Sequence, residues 1–349
     1  MMKSYTSLLA VTAISLVGGV SLLQTDFATP FKRDFVDGET QLSFEVSFND
    51  ALVIRELSTS LWNAIRYAAF REALPGAVPG QDGWLFSSEE YEAPDDYEPI
   101  RAANVNKIIG DVTFLNSVGT EVIVVLIPDK SRIYEDKLSR PRPDILTSRY
   151  DDTLSDLVAA GVHVIDAVDA LKRARQNQPV FLERDTHWTP FGAKAVAVAV
   201  ASLIIEKVDT RASFGTSITQ TTEHNGDLVK FVDSGTWNDA LGLGREPVEI
   251  NVTYKVQSDD LSAGLFGDAT PPAVLIGTSY SAISTWNFLG FLQDESQTDI
   301  LNMSFEGQGP FRPMEKYISE NSEGAQFDSL VIWEIPERYL TVNVKVPSQ

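Results

Sequence analysis

The chain contains no cysteine among its 349 residues, and it has only three histidines. The absence of cysteine excludes disulfide bonds, cysteine-ligated zinc and a thiol nucleophile, so covalent chemistry must use a hydroxyl, a carboxylate, an amine or an imidazole. Positive charge is also scarce, since 28 lysines and arginines stand against 49 acidic residues and give a net charge of -21. This charge argues against general nucleic-acid binding, and we expect no nucleic-acid partner.

Long apolar runs are missing as well, except at the N-terminus. Residues 4–25 follow Lys3, carry no charge and have an apolar centre, which is the pattern of a secretory signal. No small-x-small cleavage site follows this run, and its length approaches that needed to cross a bilayer. We therefore favour an uncleaved signal anchor over a cleaved signal peptide within residues 1–25. Residues 26–40 are interpreted as a polar tether and residues 41–349 as the folded domain.

Short apolar segments alternate with helical patterns over most of the chain. This alternation predicts an α/β fold, with a mainly parallel sheet flanked by helices on both faces. The predicted strands are 42–48, 83–86, 121–127, 162–165, 273–276 and 330–335, and the predicted helices are 49–73, 101–117, 143–160, 167–176 and 190–207. Residues 209–270 are less regular and are interpreted as an insertion or an edge β-segment.

Two short motifs could together supply a nucleophilic triad. In Asp185-Thr186-His187-Trp188 the carboxylate stands two residues before the imidazole, so in an extended chain Asp185 can orient His187 as a general base. In Gly277-Thr278-Ser279 an apolar segment ends in a tight turn that can present the Ser279 hydroxyl and free backbone N–H groups for an oxyanion. Each motif is weak by itself, because serines at such turns are often helix caps.

The two remaining histidines are assigned less specific places. His163 falls within a predicted strand and is interpreted as a core or edge residue. His224 falls in a polar turn from which it could reach a site, although surface exposure is favoured. No pair of histidines has the spacing of a catalytic zinc site, so no metal is expected.

Basic residues concentrate in one stretch against the acidic background. They are Lys130, Arg132, Lys137, Arg140, Arg142 and Arg149. Two interpretations stay open for this stretch. It could be a solvated loop and helix surface, or a basic lip beside the site that attracts an anionic ligand.

Six segments resemble, in order, motifs of the AlgX/AlgJ-like alginate O-acetyltransferases, which are SGNH hydrolase-like proteins. They are residues 83–86, 127–134, 185–188, 277–281, 307–310 and 333–339. The resemblance implies an SGNH-hydrolase-like fold in which the Asp/His motif precedes the serine, the reverse of the order in ordinary SGNH hydrolases. It also implies that Ser279 is the nucleophile, His187 the base and Asp185 its orienting acid.

The same resemblance implies a reaction and its surroundings. The expected reaction is O-acetylation of an exopolysaccharide, with mannuronate hydroxyls of alginate as acceptors, through an acetyl-serine and without a cofactor. The expected compartment is the periplasm, with residues 4–25 as an inner-membrane anchor. A membrane-bound O-acyltransferase is the expected acetyl supplier, and other polysaccharide biosynthesis proteins are expected partners. The chain is expected to be closer to the AlgJ type, because it leaves no room for the carbohydrate-binding module of AlgX-type members.

Five further residues are expected to bind or position the substrate. They are Lys130, Arg132, Trp188, Tyr280 and Arg338. Two other functions stay open at this point. One is a secreted carbohydrate acetylesterase with the same triad, in which water accepts the acetyl group. The other is a non-catalytic, polysaccharide-binding scaffold of an export complex.

Overall fold

A computed structural model describes residues 12, 15, 17–25, 38–52, 54–209, 211–256, 271–322 and 327–343. The chain divides into two compact units, Met1–Glu72 with Val232–Leu241, and Ala73–Phe231 with Gly242–Gln349. The residues predicted to form the site all belong to the second unit. Much of the predicted anchor and most of the predicted tether lie outside the described residues. In the part of the chain that is described, no helix combines the length and the apolar character needed to cross a membrane.

The first unit includes the helices α1 (Glu39–Asp50) and α2 (Arg55–Ile65), and α2 continues into a π-helical turn. The strand predicted at 42–48 is therefore wrong. In an alternating pattern, every second apolar residue lies four positions from the next. Residues four positions apart lie on the same face of a helix, so the pattern also fits a helix. The rings of Phe44 and Phe48 stack in this way, with centroids 6.1 Å apart.

The elements of the second unit follow the predicted alternation of strands and helices. The strands are β1 (Ala77–Pro79), β2 (Leu85–Ser87), β3 (Glu121–Ile127), β4 (His163–Asp166), β5 (Phe214–His224), β6 (Glu246–Lys255), β7 (Ala273–Ile276), β8 (Ile300–Asn302) and β9 (Leu330–Pro336). The helices are α3 (Tyr97–Ser117), α4 (Lys130–Ile133), α5 (Asp144–Thr147), α6 (Arg149–Ala159), α7 (Ala167–Ala174), α8 (Pro190–Lys207), α9 (Ser279–Ala282), α10 (Phe288–Ser296) and α11 (Phe311–Ser322).

Five of these strands form a parallel sheet in the order β4-β3-β9-β7-β8. Successive side chains of a strand point to opposite faces, and the buried residues of β3, β7 and β9 divide accordingly between two apolar cores. Helices α7, α8 and α10 contribute to one core, and α3, α6 and α11 contribute to the other. The predicted α/β fold, a parallel sheet with helices on both faces, is confirmed.

Several element boundaries agree with the sequence-based expectations. The strands β3 and β7 and the helix α8 have the predicted bounds. Helix α8 begins as expected, because the Thr189 hydroxyl accepts a hydrogen bond from the Gly192 N–H and Pro190 occupies the first helical position. The helix predicted over 143–160 is divided into α5 and α6 at Ser148.

The irregular stretch 209–270 contains a two-stranded antiparallel sheet formed by β5 and β6. The pairing extends from Phe214 opposite Lys255 to His224 opposite Glu246. Among the described residues these two strands form a sheet of their own and do not extend the parallel sheet, which agrees with the predicted insertion and not with an edge β-segment. His163 is exposed at the start of β4, an edge strand, so the edge interpretation of that histidine is confirmed.

Candidate active site

The Asp185/His187 motif lies on a loop that leads into α8, and we call residues 180–189 the catalytic loop. An isolated β-bridge joins Phe181 to Trp188. The His187 carbonyl accepts a hydrogen bond from the Leu182 N–H at 3.2 Å, and the Val180 carbonyl accepts one from the Thr189 N–H at 3.0 Å. The two arms of the loop are thus held together, and Asp185 and His187 lie near its tip.

The structure brings the three predicted triad residues together, although 92 positions separate His187 from Ser279. His187 Nδ1 lies 2.6 Å from Asp185 Oδ1, and His187 Nε2 lies 2.7 Å from Ser279 Oγ. The first distance places the Nδ1 proton against the carboxylate, which leaves Nε2 to accept the hydroxyl proton of Ser279. This chain of hydrogen bonds has the geometry of a nucleophile, a base and an orienting acid.

The Asp185 carboxylate is buried and accepts several hydrogen bonds. The His187 N–H donates to Oδ1 at 2.9 Å, and the Asp227 N–H donates to Oδ2 at 2.9 Å. His224 Nε2 also lies 2.8 Å from Oδ2. Burial acts to raise the pKa of Asp185, but the hydrogen bonds from His187 and His224 outweigh it and hold that pKa well below its usual range. The acid therefore stays ionised beside the base.

Ser279 is the first residue of α9 and follows closely on the buried strand β7. The Thr278 N–H donates to the buried Glu334 carboxylate at 2.7 Å, and the Ser281 hydroxyl donates to it at 3.0 Å. A Cβ atom at Gly277 would lie 2.4 Å from the same carboxylate, so the turn requires glycine there. Glu334 on β9 thus fixes the turn that presents Ser279.

Aromatic side chains enclose the base. The His187 ring stacks on the Trp286 ring at a centroid distance of 5.4 Å, and it lies 5.0 Å from the Tyr280 ring. Trp188, Tyr280 and Trp286 are all buried. The Trp188 ring packs edge-on against the Tyr280 ring at a centroid distance of 5.1 Å, and it packs at a tilt against the Phe288 ring at 4.8 Å. Trp188 is therefore a core side chain that packs against the aromatic residues next to His187.

Three of the residues expected to meet substrate have their contacts inside the protein. Lys130 is buried, and its Nζ donates to the carbonyls of Leu182, Glu183 and Asp185 at 2.8 to 3.2 Å. Tyr280 donates its hydroxyl proton to the Thr186 carbonyl, and the Tyr280 oxygen accepts from Arg338 Nη1 at 3.3 Å. Burial lowers the pKa of Lys130 and raises the pKa of Tyr280. These side chains support the catalytic loop.

The expected basic lip does not form, because most of its residues point inward. Arg132, Arg142 and Arg149 surround the buried carboxylates of Asp129 and Glu337, and we call these five residues the arginine cluster. Arg132 binds Glu337 through Nε at 2.9 Å and through Nη2 at 2.8 Å. A solvated surface is equally wrong for these arginines. Asp129, which follows strand β3, and Glu337, which follows strand β9, are the acidic partners of these arginines.

The remaining members of the basic stretch are more exposed and have nearby partners. Lys137 pairs with Asp82 at 2.8 Å, and the Arg140 guanidinium lies 5.1 Å from the centre of the Tyr91 ring. Arg338 is buried over the Tyr280 ring, and its Nε lies 3.1 Å from Glu89.

Two residues of the site escaped the sequence-based prediction. Surface exposure was favoured for His224 over a place in the site, but His224 contacts Asp185 in the site. Asp227 accepts hydrogen bonds from the Thr186 N–H, at 2.8 Å, and from the Thr186 hydroxyl. The only sequence signal was that a histidine and an aspartate flank Asn225-Gly226. A polar turn of this kind is common on surfaces and does not by itself indicate a site.

Asp185, His187 and Asp227 offer atoms that lie within 4.8 Å of one another and could in principle hold a metal ion. The same atoms already take part in hydrogen bonds. Asp185 Oδ1 binds His187 Nδ1, and the Asp227 carboxylate binds Thr186. We therefore interpret the group as a hydrogen-bonded triad with its supports.

The sequence model of one protein family, described as an SGNH hydrolase-like domain of the acetyltransferase AlgX, matches residues 77–337. The chain belongs to the AlgX family. The matched residues include the catalytic loop, the Ser279 turn and all five strands of the parallel sheet. This membership confirms the predicted family, the SGNH hydrolase-like fold and the enzyme class, an O-acetyltransferase.

Similar proteins and structures agree with the AlgX family assignment. A Pseudomonas aeruginosa protein named "Probable alginate O-acetylase AlgJ" is 34% identical over 90% of this chain and 83% of its own length. A protein of the same name from Azotobacter vinelandii is 32% identical over 96% of this chain and 86% of its own. The O-acetyltransferase domain of Pseudomonas putida AlgJ is 30% identical, with a TM-score of 0.71 over 79% of this chain and 96% of that domain. The structure of Pseudomonas aeruginosa AlgX shares the fold, with a TM-score of 0.58 and 23% identity over 74% of this chain and 62% of that one.

Proposed function

We propose that this member of the AlgX family acetylates hydroxyl groups of alginate, through an acetyl ester on Ser279. The observation that carries the proposal is the unbroken chain of hydrogen bonds from Asp185 through His187 to Ser279, with distances of 2.6 and 2.7 Å. The names of the AlgJ relatives supply the acceptor, alginate.

In the first half-reaction His187 Nε2 takes the proton of Ser279, and the Ser279 oxygen attacks the carbonyl carbon of an acetyl donor. The leaving group departs with that proton and leaves acetyl-Ser279. Asp185 stays ionised and stabilises the imidazolium that forms in between. The low pKa of Asp185, caused by its two histidine partners acting against burial, suits this role.

The tetrahedral intermediate needs hydrogen-bond donors for its oxyanion. Ser279 is the first residue of α9, so its backbone N–H is not used by the hydrogen bonds of the helix. We assign this N–H to the oxyanion, where one such donor contributes roughly 3 kcal/mol to the transition state.

In the second half-reaction a sugar hydroxyl attacks the acetyl-enzyme. His187 Nε2 removes the hydroxyl proton as the new ester bond forms, and it returns this proton to Ser279 as the serine leaves. The product is an acetyl ester of the polysaccharide and free enzyme. No cofactor is required by these steps.

The five residues expected to meet substrate take positioning roles in this proposal. Lys130 and Tyr280 hold the catalytic loop through its carbonyls, and Arg338 holds the Tyr280 hydroxyl. Trp188 packs behind the base and Arg132 belongs to the arginine cluster. We propose that each acts through its neighbours and not by contact with the sugar.

We further propose that the protein works in the periplasm. Residues 4–25 would serve as a signal or inner-membrane anchor and residues 26–40 as a tether, as their sequence pattern indicates. No acetyl-CoA pool exists outside the cytoplasm, so a membrane-bound O-acyltransferase would hand the acetyl group outward. AlgX-type proteins and other alginate biosynthesis proteins are the proposed neighbours.

The proposal is tested with the purified full chain, p-nitrophenyl acetate as acetyl donor and oligomannuronate as acceptor. We expect acetylated oligomannuronate in the mass spectrum, no such product from Ser279→Ala, and unchanged product from Ser319→Ala, an exposed serine on α11. Turnover that survives Ser279→Ala would contradict the triad.

The same experiment separates the two other functions. Release of acetate without any acetylated sugar would favour a carbohydrate acetylesterase, in which water reaches the acetyl-enzyme first. Binding of oligomannuronate with no release of p-nitrophenol by the unaltered chain would favour a non-catalytic scaffold.

A further inference from the structure

One carboxylate of the site is shared between two imidazoles. Asp185 Oδ1 lies 2.6 Å from His187 Nδ1, and Asp185 Oδ2 lies 2.8 Å from His224 Nε2. The acetyl-transfer steps use only the first of these contacts. We propose that His224 is a positioning residue of the triad, whose Nε2–H holds one oxygen of Asp185 so that the other stays aligned with His187. The inference rests on the proposed function, since it assumes that Asp185 and His187 act on Ser279.

In the small antiparallel sheet, strand β5 ends next to the catalytic loop and strand β6 begins there. His224 is the last residue of β5 and lies opposite Glu246, the first residue of β6. The Glu246 carboxylate accepts hydrogen bonds from the Glu183 N–H at 2.7 Å and from the Arg184 N–H at 2.8 Å. The paired ends of β5 and β6 therefore bind the loop next to Asp185.

The turn that follows β5 continues this contact. The Asp227 N–H donates to Asp185 Oδ2 at 2.9 Å, and the Leu228 N–H donates to the Arg184 carbonyl at 3.1 Å. A Cβ atom at Gly226 would lie 2.2 Å from that carbonyl, so glycine is needed for this close approach. Residues 224–228 thus form a continuous support along the loop, in which His224 provides the side-chain donor.

The surroundings of His224 favour a stable, charged imidazole. Its ring packs edge-on against Trp286 at a centroid distance of 5.4 Å. The negative charges of the Asp185, Glu246 and Asp227 carboxylates act to raise the pKa of His224. The hydrogen bond to Asp185 raises the pKa of His224 above its ordinary value, against the opposing effect of burial.

The test compares two substitutions at His224 in the full chain. His224→Gln keeps a side-chain N–H donor near the position of Nε2 but cannot carry charge, and His224→Phe keeps a ring against Trp286 but has no donor. We expect His224→Phe to lower kcat for p-nitrophenyl acetate by about ten- to a hundredfold, since a hydrogen bond to a buried charge is lost. We expect His224→Gln to keep kcat within about threefold of the unaltered chain at alkaline pH.

The pH dependence distinguishes positioning from a general structural role. His224→Gln replaces the imidazole across Asp185 from His187 by a side chain that cannot become positively charged, so we expect the acid limb of the kcat/KM profile to move to higher pH by about one unit. His163→Gln, at the exposed histidine of β4, is the matched control and should change neither kcat nor the profile. Should His224→Phe fail to fold, the profile of His224→Gln carries the test by itself.

Two results would overturn the inference. One is an unaltered kcat in folded His224→Phe, and the other is a His224→Gln variant with an unmoved acid limb or with the same kcat loss as His224→Phe. Ser279→Ala separates this inference from the proposed function. An inactive Ser279→Ala beside a fully active His224→Phe contradicts only the role of His224, whereas an active Ser279→Ala contradicts the triad itself.

Discussion

Two of the groups of buried carboxylates in the second unit have partners of different chemistry. In the group of Asp185, His187 and His224, which we call the histidine cluster, the acid binds imidazoles. In the arginine cluster, Asp129 and Glu337 bind guanidiniums. Imidazoles gain and lose protons near neutral pH, whereas guanidiniums stay charged. The first arrangement can move a proton, and the second can only hold the ends of strands β3 and β9 together.

Residue type alone did not show whether the basic residues between Lys130 and Arg149 are buried, exposed or next to the site. Arg132, Arg142 and Arg149 follow a strand in the same way as many ligand-binding residues do. Their burial beside Asp129 and Glu337 makes them part of the interior. The two clusters should therefore respond in opposite ways to loss of an acid, with loss of activity in one and loss of stability in the other.

The largest effect is expected from Asp185→Asn in the histidine cluster. The amide cannot stabilise the imidazolium and favours the wrong tautomer of His187, so kcat should fall by about 10⁴-fold. Steady-state hydrolysis of p-nitrophenyl acetate measures the loss, and a thermal melt checks that the fold is kept. A kcat within tenfold of the unaltered chain would contradict the role of Asp185.

In the arginine cluster, Glu337→Gln should act mainly on stability. It leaves Arg132 and Arg142 without a full counter-charge in the interior, so the free energy of unfolding should fall by about 3–5 kcal/mol. Urea denaturation measures this change. The control is Glu315→Gln, because Glu315 pairs with Lys107 in a more exposed place, at 3.1 Å, and its loss should cost under about 1 kcal/mol. Equal effects of the two substitutions would contradict the comparison.

The stability supplied by Glu337 should depend on pH. Burial acts to raise the pKa of Glu337, but the hydrogen bonds from Arg132 and the charges of Arg142 and Arg149 lower it from 4.5 to about 2. A carboxyl with a lower pKa in the folded state stabilises the fold fully above its unfolded pKa and loses this contribution as the pH falls through the folded pKa. The difference in unfolding free energy between the unaltered chain and Glu337→Gln should therefore shrink between pH 4.5 and about 2. A constant difference over this range, measured by urea denaturation, would show that the ion pairs do not set the pKa.

The smallest effect is expected at Lys130, which follows Asp129 in the chain but binds the catalytic loop. Lys130→Met removes the donor of the Leu182 and Asp185 carbonyls, so the free energy of unfolding should fall by about 1–3 kcal/mol and kcat by about tenfold. Lys137→Met is the matched control, because Lys137 pairs with the exposed Asp82 and should change stability by less than about 1 kcal/mol. Lowered stability with unchanged kcat would show that Lys130, like the arginine cluster, contributes to stability and not to activity.

Much of the fold could be predicted from the sequence because its signals are local. The apolar run of β3 and the cap of α8 at Thr189 lie within a few residues of the elements that they specify. A strand was wrongly predicted within α1, because a short alternating pattern fits both the period of a strand and the period of a helix. The triad was predicted because Asp185 and His187 are neighbours and because Ser279 follows a buried strand.

The sequence by itself thus determined the parallel sheet, the family and the three residues, Asp185, His187 and Ser279, that the structure joins by hydrogen bonds. Only the tertiary structure decided which charged residues surround them. His224 and Asp227 reach the catalytic loop through the pairing of β5 with β6, and the arginines turn inward because Asp129 and Glu337 meet at the ends of neighbouring strands. The physical reason is that a buried charge is tolerated only beside its partner, and the partner is chosen by contacts between residues far apart in the chain.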